Sequence, residues 1–440
     1  MNDRLAPLYP AHLATVQKRY DDALHAHGFD AVVIFAGALH VAFLDDRTYP
    51  FMVNPHFKSW VPVVDNPHCF IVRTPGTKPK LVYYQPVDYW YKPAETPRGF
   101  WVDSFDIAVI TSPDQAKQHF PRGRVAFIGE WEESFGGEAN PKALLDFLHW
   151  QRAWKTDYEI ECVRLANECA ARGHRAAERA FRGGASEYAI HLEYLRATAH
   201  TEEELPYHNI IALNENAAVL HYTQHEREAL PEANRQSFLI DAGAHVNGYA
   251  SDITRTYAQR DDEFAELVAA MDDAQQSLCA AVRPGVPYPD IHLLAHRRVA
   301  EMLVRFRFVR DLDADGALEK KISAVFLPHG VGHYLGLQVH DVGGHMADAA
   351  GRENTPPKEH PFLRLTRPIE TRNVFTIEPG FYFIEPLLAE LKNSDDAKYV
   401  DWDRVDSFRK YGGVRIEDDI AVTESGYENL TREAFARLDS

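Results

Sequence analysis

The stretch from Ser237 to Tyr257, SFLIDAGAHVNGYASDITRTY, places Asp241 and Asp252 inside two apolar, β-branched runs with Asn247-Gly248 between them. Asn-Gly between such runs is a strong hairpin signal. A two-residue turn there pairs Val246 with Tyr249, sets Asp241 opposite Thr254 and sets Asp252 opposite Gly243. Both carboxylates then share one face as diagonal neighbours, roughly 7–8 Å apart at the backbone. Two like charges on one half-buried face need a cation; the alternative is a hairpin whose acids face water.

Three further stretches carry groups of the same chemistry. FLPHGVGHYLGLQVHDVGG, residues 326–344, holds His329, His333 and His340 among glycines that disfavour a helix and admit close approach of other groups. It reads as a loop that places imidazoles, as metal ligands or as proton carriers. In NVFTIEPGFYF, Glu378 closes an apolar run and Pro379 favours a strand end or bulge. GGVRIEDDIAVT reads as a strand with Glu417 at its middle and Arg415 and Asp419 on the same face by period two. A carboxylate in such a run should not be buried unpaired. Taken alone, either of these last two strands reads first as an Arg-carboxylate ion pair on an exposed sheet face, Arg415-Glu417 or Arg-Asp.

Together these stretches offer carboxylates and imidazole but no cysteine, which suits Mn²⁺-like ions and disfavours a structural zinc site. Four carboxylates and one histidine suffice to hold two divalent ions roughly 3.5–4 Å apart with a water between them. Hydrolysis is the natural reaction of such a centre.

The order DAG…SDITRT, PHGVGHYLGLQVHD, TIEPG and RIEDD resembles the metallopeptidase family of pita-bread fold, which comprises methionine aminopeptidase, aminopeptidase P and prolidase. Within that family, FLDD, YPF, VNPHFKSW, DNPHC, ALNEN and LHYT are most similar to the group of bacterial prolidases (Xaa-Pro dipeptidases) and organophosphorus acid anhydrolases. The resemblance implies Asp241, Asp252, His333, Glu378 and Glu417 as ligands of two divalent ions, Mn²⁺ by expectation, with Asp252 and Glu417 bridging. It implies His221 and His340 as substrate-side histidines and Glu378 as a proton carrier. Arg364 would clamp a dipeptide's C-terminal carboxylate, Arg415 would support Glu417 and the substrate end, and Tyr207 and Tyr288 would line the pocket. Asp46 would meet the substrate amine from the partner subunit of a homodimer. The activity implied is proline release from a small dipeptide substrate, with a side activity on phosphotriester-like compounds. Aminopeptidase P, a metal-free hydrolase of creatinase type and a non-enzymatic binding protein on the same fold are the alternatives.

The elements that must position these groups are those of an α/β (α+β) chain. Residues 1–155 read as a creatinase-like α/β domain with a mixed sheet: a helix over Ala11 to His27, then strands in FDAVVIFAG, HCFIVRT, KPKLVYYQP and GRVAFIGE. Residues 156–440 read as the catalytic domain. It opens with an amphipathic helix from Asp157 to Arg182 and a second helix capped by Ser186. LPYHNIIALNENAAVLHYT reads as two strand-like pieces joined at Asn214-Glu215-Asn216, followed by helices at Phe264 to Val282 and Ile291 to Phe306 and a linker around Ala347 to His360. The chain has 440 residues, 45% of them hydrophobic, and a formal charge of -18. That balance, with no basic run, argues against nucleic acid and anionic membranes. No run approaches the length of a signal peptide or membrane span. Four scattered cysteines without a CxxC fit a reducing compartment, so the expectation is a cytoplasmic protein.

Overall fold

The computed structural model describes residues 2–130 and 132–439. The described chain divides into two compact units: the chain up to Cys162 with Val246–Tyr249 and Met346–Glu353, and the remainder. In the first unit the Tyr9–His27 helix buries Leu13, Val16, Tyr20 and Leu24, spaced at three and four residues, and ends at Gly28 in the left-handed conformation (φ 70°). It leads into β1 (Ala31–Phe35), whose apolar run AVVIF is buried at every position, as a strand covered on both faces must be. β1 pairs antiparallel with β2 (Phe70–Arg73) and parallel with β5 (Val125–Ile128). With β3 (Lys80–Tyr84), β4 (Asp106–Ile110) and β6 (Glu138–Ala139) the sheet runs β4-β3-β2-β1-β5-β6 and is mixed. β4 and β6 are not legible as strands in the sequence; β4 is exposed or half-exposed at four of its five positions, so it lacks a continuous apolar run. Phe35, Phe70 and Phe127 pack on one face, the first two stacked with ring centroids 4.6 Å apart.

The helices expected from periodicity are present: Asp157–Arg182, which the unit boundary at Cys162 divides, and, in the second unit, Glu187–Thr198, Glu263–Ala281 and Tyr288–Arg305. Ser186 caps Glu187–Thr198 by accepting from the Ala189 N–H. The strands of the second unit form three small sheets: β7 (Ile210–Leu213), β8 (Ser237–Asp241) and β11 (Thr254–Ala258); β12 (Val374–Ile377), β15 (Asp418–Val422) and β16 (Tyr427–Asn429); and β13 (Gly380–Tyr382) with β14 (Gly413–Arg415). β9 (His245–Val246) and β10 (Tyr249–Ala250) flank the Asn247-Gly248 turn. The piece expected as a strand after β7 is instead a 3₁₀ turn, Asn214–Ala218, followed by irregular chain. Asn214 is left-handed (φ 56°), and its side-chain oxygen accepts from the Gln236 N–H, so it turns the chain rather than extending it. The core behind β7 and β8 comprises Phe181, Ile190, Tyr194, Ile211, Phe238 and Ile240.

Phe127→Ala removes a ring that is 1% exposed, so it should cost about 3–5 kcal/mol of stability. The check is the guanidinium midpoint of the transition reported by first-unit residues.

Candidate metal centre

Two antiparallel frames bring the four carboxylates together. In the first, β8 and β11 pair Asp241 with Thr254. The same frame runs on past the strands, through Ala242 N–H to Ile253 O (3.0 Å) and Ser251 N–H to Ala244 O (2.9 Å). It ends at Asn247 and Gly248, whose φ of 52° and 84° fit the hairpin turn that this dipeptide favours. Asp241 and Asp252 converge closely enough that the Tyr207 hydroxyl lies 2.8 Å from one carboxylate oxygen and 2.6 Å from the other. A hydroxyl has one proton, so it satisfies only one of the two at a time.

In the second frame, β12 pairs Ile377 with Asp418, and β13 pairs Gly380 with Arg415. Both pairings belong to one register, which sets Glu378 opposite Glu417 and Pro379 opposite Ile416. The ladder is broken there, because Pro379 has no N–H to give; the one bond across the gap runs from Ile416 N–H to Pro379 O (3.3 Å). Glu417 therefore sits at a junction between β14 and β15, not at mid-strand as the sequence pattern suggests. Its N–H goes instead to Thr254 O (3.0 Å), the residue paired with Asp241, and the Thr254 hydroxyl donates to its Oε2 (2.6 Å). That crossing locks the two frames to each other.

The imidazole enters from the glycine-rich loop. His333 and Thr376 exchange backbone contacts, Thr376 N–H to His333 O (3.0 Å) and His333 N–H to Thr376 Oγ1 (3.2 Å). A side chain on Gly332 would lie 2.1 Å from the Thr376 carbonyl and from the Tyr288 hydroxyl, so only glycine lets the loop come this close. His333 Nδ1–H donates to Tyr334 O (3.0 Å), which leaves Nε2 facing Asp252 Oδ2 at 3.3 Å and Glu378 Oε1 at 3.5 Å. Ligand atoms of Asp252, His333 and Glu417 all lie within 4.8 Å of one another.

The electrostatics show what this group needs. Burial, then the charges of Asp252, Glu378 and Asp241, pushes the Glu417 carboxyl well above the usual range; burial above all holds Glu378 up at about 7. Burial opposes a charge on His333, yet Asp252 and Glu378 push it up to about 9. Arg415 is buried and pairs with Asp241 Oδ2 (2.7 Å), while its other nitrogens donate to Thr254 Oγ1 and to the Tyr382 hydroxyl. The ion pair read from the sequence as an Arg415 partnership on an exposed face is thus absent: Arg415 and Glu417 are 5% and 2% exposed, and Arg415 serves the other frame. Four carboxylates, Asp252 and Glu417 buried and Asp241 and Glu378 half-buried, against one guanidinium and one imidazole leave an excess of negative charge. Divalent cations with oxygen preference fit that donor set.

Asp419 does not face the other acids with its own ligand oxygens. Its Oδ2 accepts from the Asp252 N–H (3.1 Å) and from Asn167 Nδ2 (2.7 Å), and Thr431 closes the ring by donating to Asn167 and accepting from the Asp419 N–H. Asn167 and Thr431, with Thr254 and Tyr382, are site residues that the sequence reading missed.

The centre opens into a cavity of about 880 Å³ bordered by Asp241, Asp252, His333, Glu378, Arg415 and Glu417. His221, His340 and Arg364 also border it, with apolar walls from Val219, Phe362, Phe383 and Leu387. The His340 ring meets that of His333 edge-on, 4.3 Å between centroids; burial and the neighbouring His333 hold it down to about 4. His329, read from sequence only as one of three imidazoles, borders the cavity too, and its Nε2 lies 2.8 Å from the Tyr382 hydroxyl that Arg415 holds. Tyr207 and Tyr288 are not among the bordering residues, contrary to expectation. Tyr207 reaches the two aspartates through its hydroxyl, and the buried Tyr288 donates to Thr376 O (2.9 Å). Asp46 lies in an exposed loop of the first unit.

Comparison with known proteins places this geometry. The model of metallopeptidase family M24 matches residues 161–424, and that of the Xaa-Pro dipeptidase N-terminal domain matches residues 7–150. The Xaa-Pro dipeptidase of Pseudoalteromonas atlantica is 49% identical over 440 residues, 98% of this chain and 99% of that one. The Xaa-Pro dipeptidase of Stenotrophomonas maltophilia strain R551-3 is 49% identical over 434 residues, 98% and 97% of the two chains. Among solved structures, the aminopeptidase PepP of Pseudomonas aeruginosa superposes with a TM-score of 0.72 at 22% identity, covering 97% of this chain and 98% of its own. Zinc-substituted Escherichia coli aminopeptidase P superposes with a TM-score of 0.71 at 22% identity, covering 96% and 97%. These two share the fold.

Mn²⁺ added to chelator-treated protein at about 100 times its Kd should stabilise the fold by about 2.7 kcal/mol. Thermal unfolding with and without the ion checks this, and Asp252→Asn should lose most of the gain while keeping the fold.

Proposed function

The chain belongs to metallopeptidase family M24, and within that family we propose that it cleaves Xaa-Pro dipeptides and releases proline. The observation that carries this reading is the convergence of Asp241, Asp252, His333, Glu378 and Glu417 on a cavity that Arg364 also borders. The near full-length likeness to Xaa-Pro dipeptidases supports it. We infer two divalent ions per chain, Mn²⁺ by the hardness of the donors, with Asp252 and Glu417 as the bridging carboxylates. Such ions, when bound, lower the pKa of a water and polarise a carbonyl.

The chain's own groups do the rest. Arg364, exposed at the cavity wall, takes the substrate's C-terminal carboxylate, for which a planar guanidinium is suited by its paired donors. His340 and His221 hydrogen-bond the scissile amide's oxygen side and hold it in place. The Glu378 carboxylate takes a proton from the attacking water and delivers it to the proline nitrogen, which leaves as an amine. Arg415 holds Asp241, while Tyr207 and Tyr288 support the ligand frames. An Xaa-Pro bond is a tertiary amide without an N–H, so a site that binds it through the carbonyl and the terminal carboxylate loses nothing by that absence.

The same reading extends to assembly. Phe43 and Leu44, beside Asp46, are 88% and 90% exposed, a surface that a homodimer would cover, and Asp46 would there meet the substrate amine of the partner. Four free, buried cysteines are consistent with a cytoplasmic setting.

Metal-stripped enzyme given Mn²⁺ should release proline from Ala-Pro and leave Ala-Pro-Ala uncut; cleavage of the tripeptide alone would instead make the chain an aminopeptidase. Arg364→Ala should lower kcat/KM by roughly 10- to 100-fold, carried by KM, as expected for losing about 1.5–3 kcal/mol of charged hydrogen bonding. Glu378→Gln should cut kcat by about 10²-fold or more, and steady-state kinetics on Ala-Pro separates the two effects.

A further inference from the structure

A second cluster of metal-binding groups lies in the same unit, apart from the carboxylates. His292 and His296 stand one turn apart on the Tyr288–Arg305 helix, on one face by the i, i+4 spacing, and are 2% and 3% exposed. His360 comes to them from the loop before Phe362 and Arg364, held by its own N–H to Pro357 O (2.8 Å) and by Leu363 N–H to its carbonyl (3.2 Å). The three rings form a near-equilateral triangle, with centroids 4.7, 4.5 and 4.6 Å apart. One ring nitrogen of each lies within 4.8 Å of the other two.

The Nε2 atoms of His292 and His296 are 3.2 Å apart. Two nitrogens bound at 2.0–2.1 Å to one tetrahedral ion are separated by about 3.3–3.4 Å, so the pair is set almost at ligand spacing. A hydrogen bond between two neutral rings would also give this distance. That bond gives the third ring no reason to converge. Burial drives His292 down to about 2 and His296 to about 3, so both rings are neutral at physiological pH, the form in which imidazole binds metal. His296 Nδ1 also lies 3.3 Å from Ser323 Oγ, an orienting contact of the kind that ligating histidines keep.

We propose that His292, His296 and His360 form a separate trihistidine site for a borderline divalent cation of the Zn²⁺, Co²⁺ or Ni²⁺ class, with its fourth position left to water. All-nitrogen donors favour these ions over Mn²⁺, which suits the carboxylate centre. A cation there would fasten the loop carrying Phe362 and Arg364 to the helix that begins at Tyr288.

The test counts metal. Full-length protein loaded with Mn²⁺ is equilibrated with a small excess of Zn²⁺, freed of unbound ions and analysed for both metals by mass spectrometry, beside His360→Ala and His360→Gln treated alike. Zinc entering the carboxylate centre or surface histidines contributes equally to all three. The wild type should hold about one more Zn²⁺ per chain than either variant, with all three retaining Mn²⁺-dependent turnover of Ala-Pro. Equal zinc in wild type and whichever variant folds would overturn the site.

Discussion

The structure depends on keeping four carboxylates together, two of them buried and two half-buried. Like charges in a place of low dielectric repel strongly and cannot all ionise without compensation. The chain answers with register: Asp241 and Asp252 belong to one antiparallel frame, Glu378 and Glu417 face each other in a second, and Thr254 joins the frames where Glu417 gives up its place in a regular strand. Because the backbone ladders fix these positions, the acids converge whether or not they are charged. The cost of gathering them is met by the rest of the fold, not by the acids themselves.

Each acid is then steered by a different partner. Arg415 and Tyr207 hold Asp241, the Asn167-Asp419-Thr431 ring holds the backbone of Asp252, Thr254 holds Glu417, and Thr376 sits between Glu378 and the loop of His333. Such supporting contacts set where ligand oxygens point and therefore which ions fit. The donor contrast within one unit is informative. Carboxylates dominate where the cavity is, while the second group, among the described residues, consists of three imidazoles.

Much of this was legible before any coordinates. Asn247-Gly248 and period-two parity gave the pairing of Asp241 with Thr254, since a two-residue turn allows one register only. Pro379 marked the strand end at Glu378. Glu417 was misread because what interrupts its strand is a missing N–H on Pro379, far away in sequence and opposite in the frame. Tyr382, Asn167 and Thr431 were invisible for a related reason: they are ordinary residues of strands and helices, and only tertiary contact gives them a task. His292 and His296 carry a visible helical spacing, but a pair of histidines says little until His360 arrives from a loop with no pattern of its own. Tyr207 and Tyr288 belong to the neighbourhood the sequence assigns them, though neither borders the cavity.

Between Tyr382 and Gly413 the chain leaves the second frame and returns to it in the same register. That excursion supplies Phe383, Ile384, Leu387 and Arg409 to the cavity wall. Its two ends are already pinned by β13 and β14, so a change in its length leaves their register standing, whereas one residue inserted between Ile377 and Glu378 would turn Glu378 to the opposite face. Chemistry and selectivity are thereby separable during divergence: lineages descended from such a chain are free to reshape what the cavity admits by insertion and deletion in the excursion, while the segment bearing Glu378 and Pro379 must keep its length.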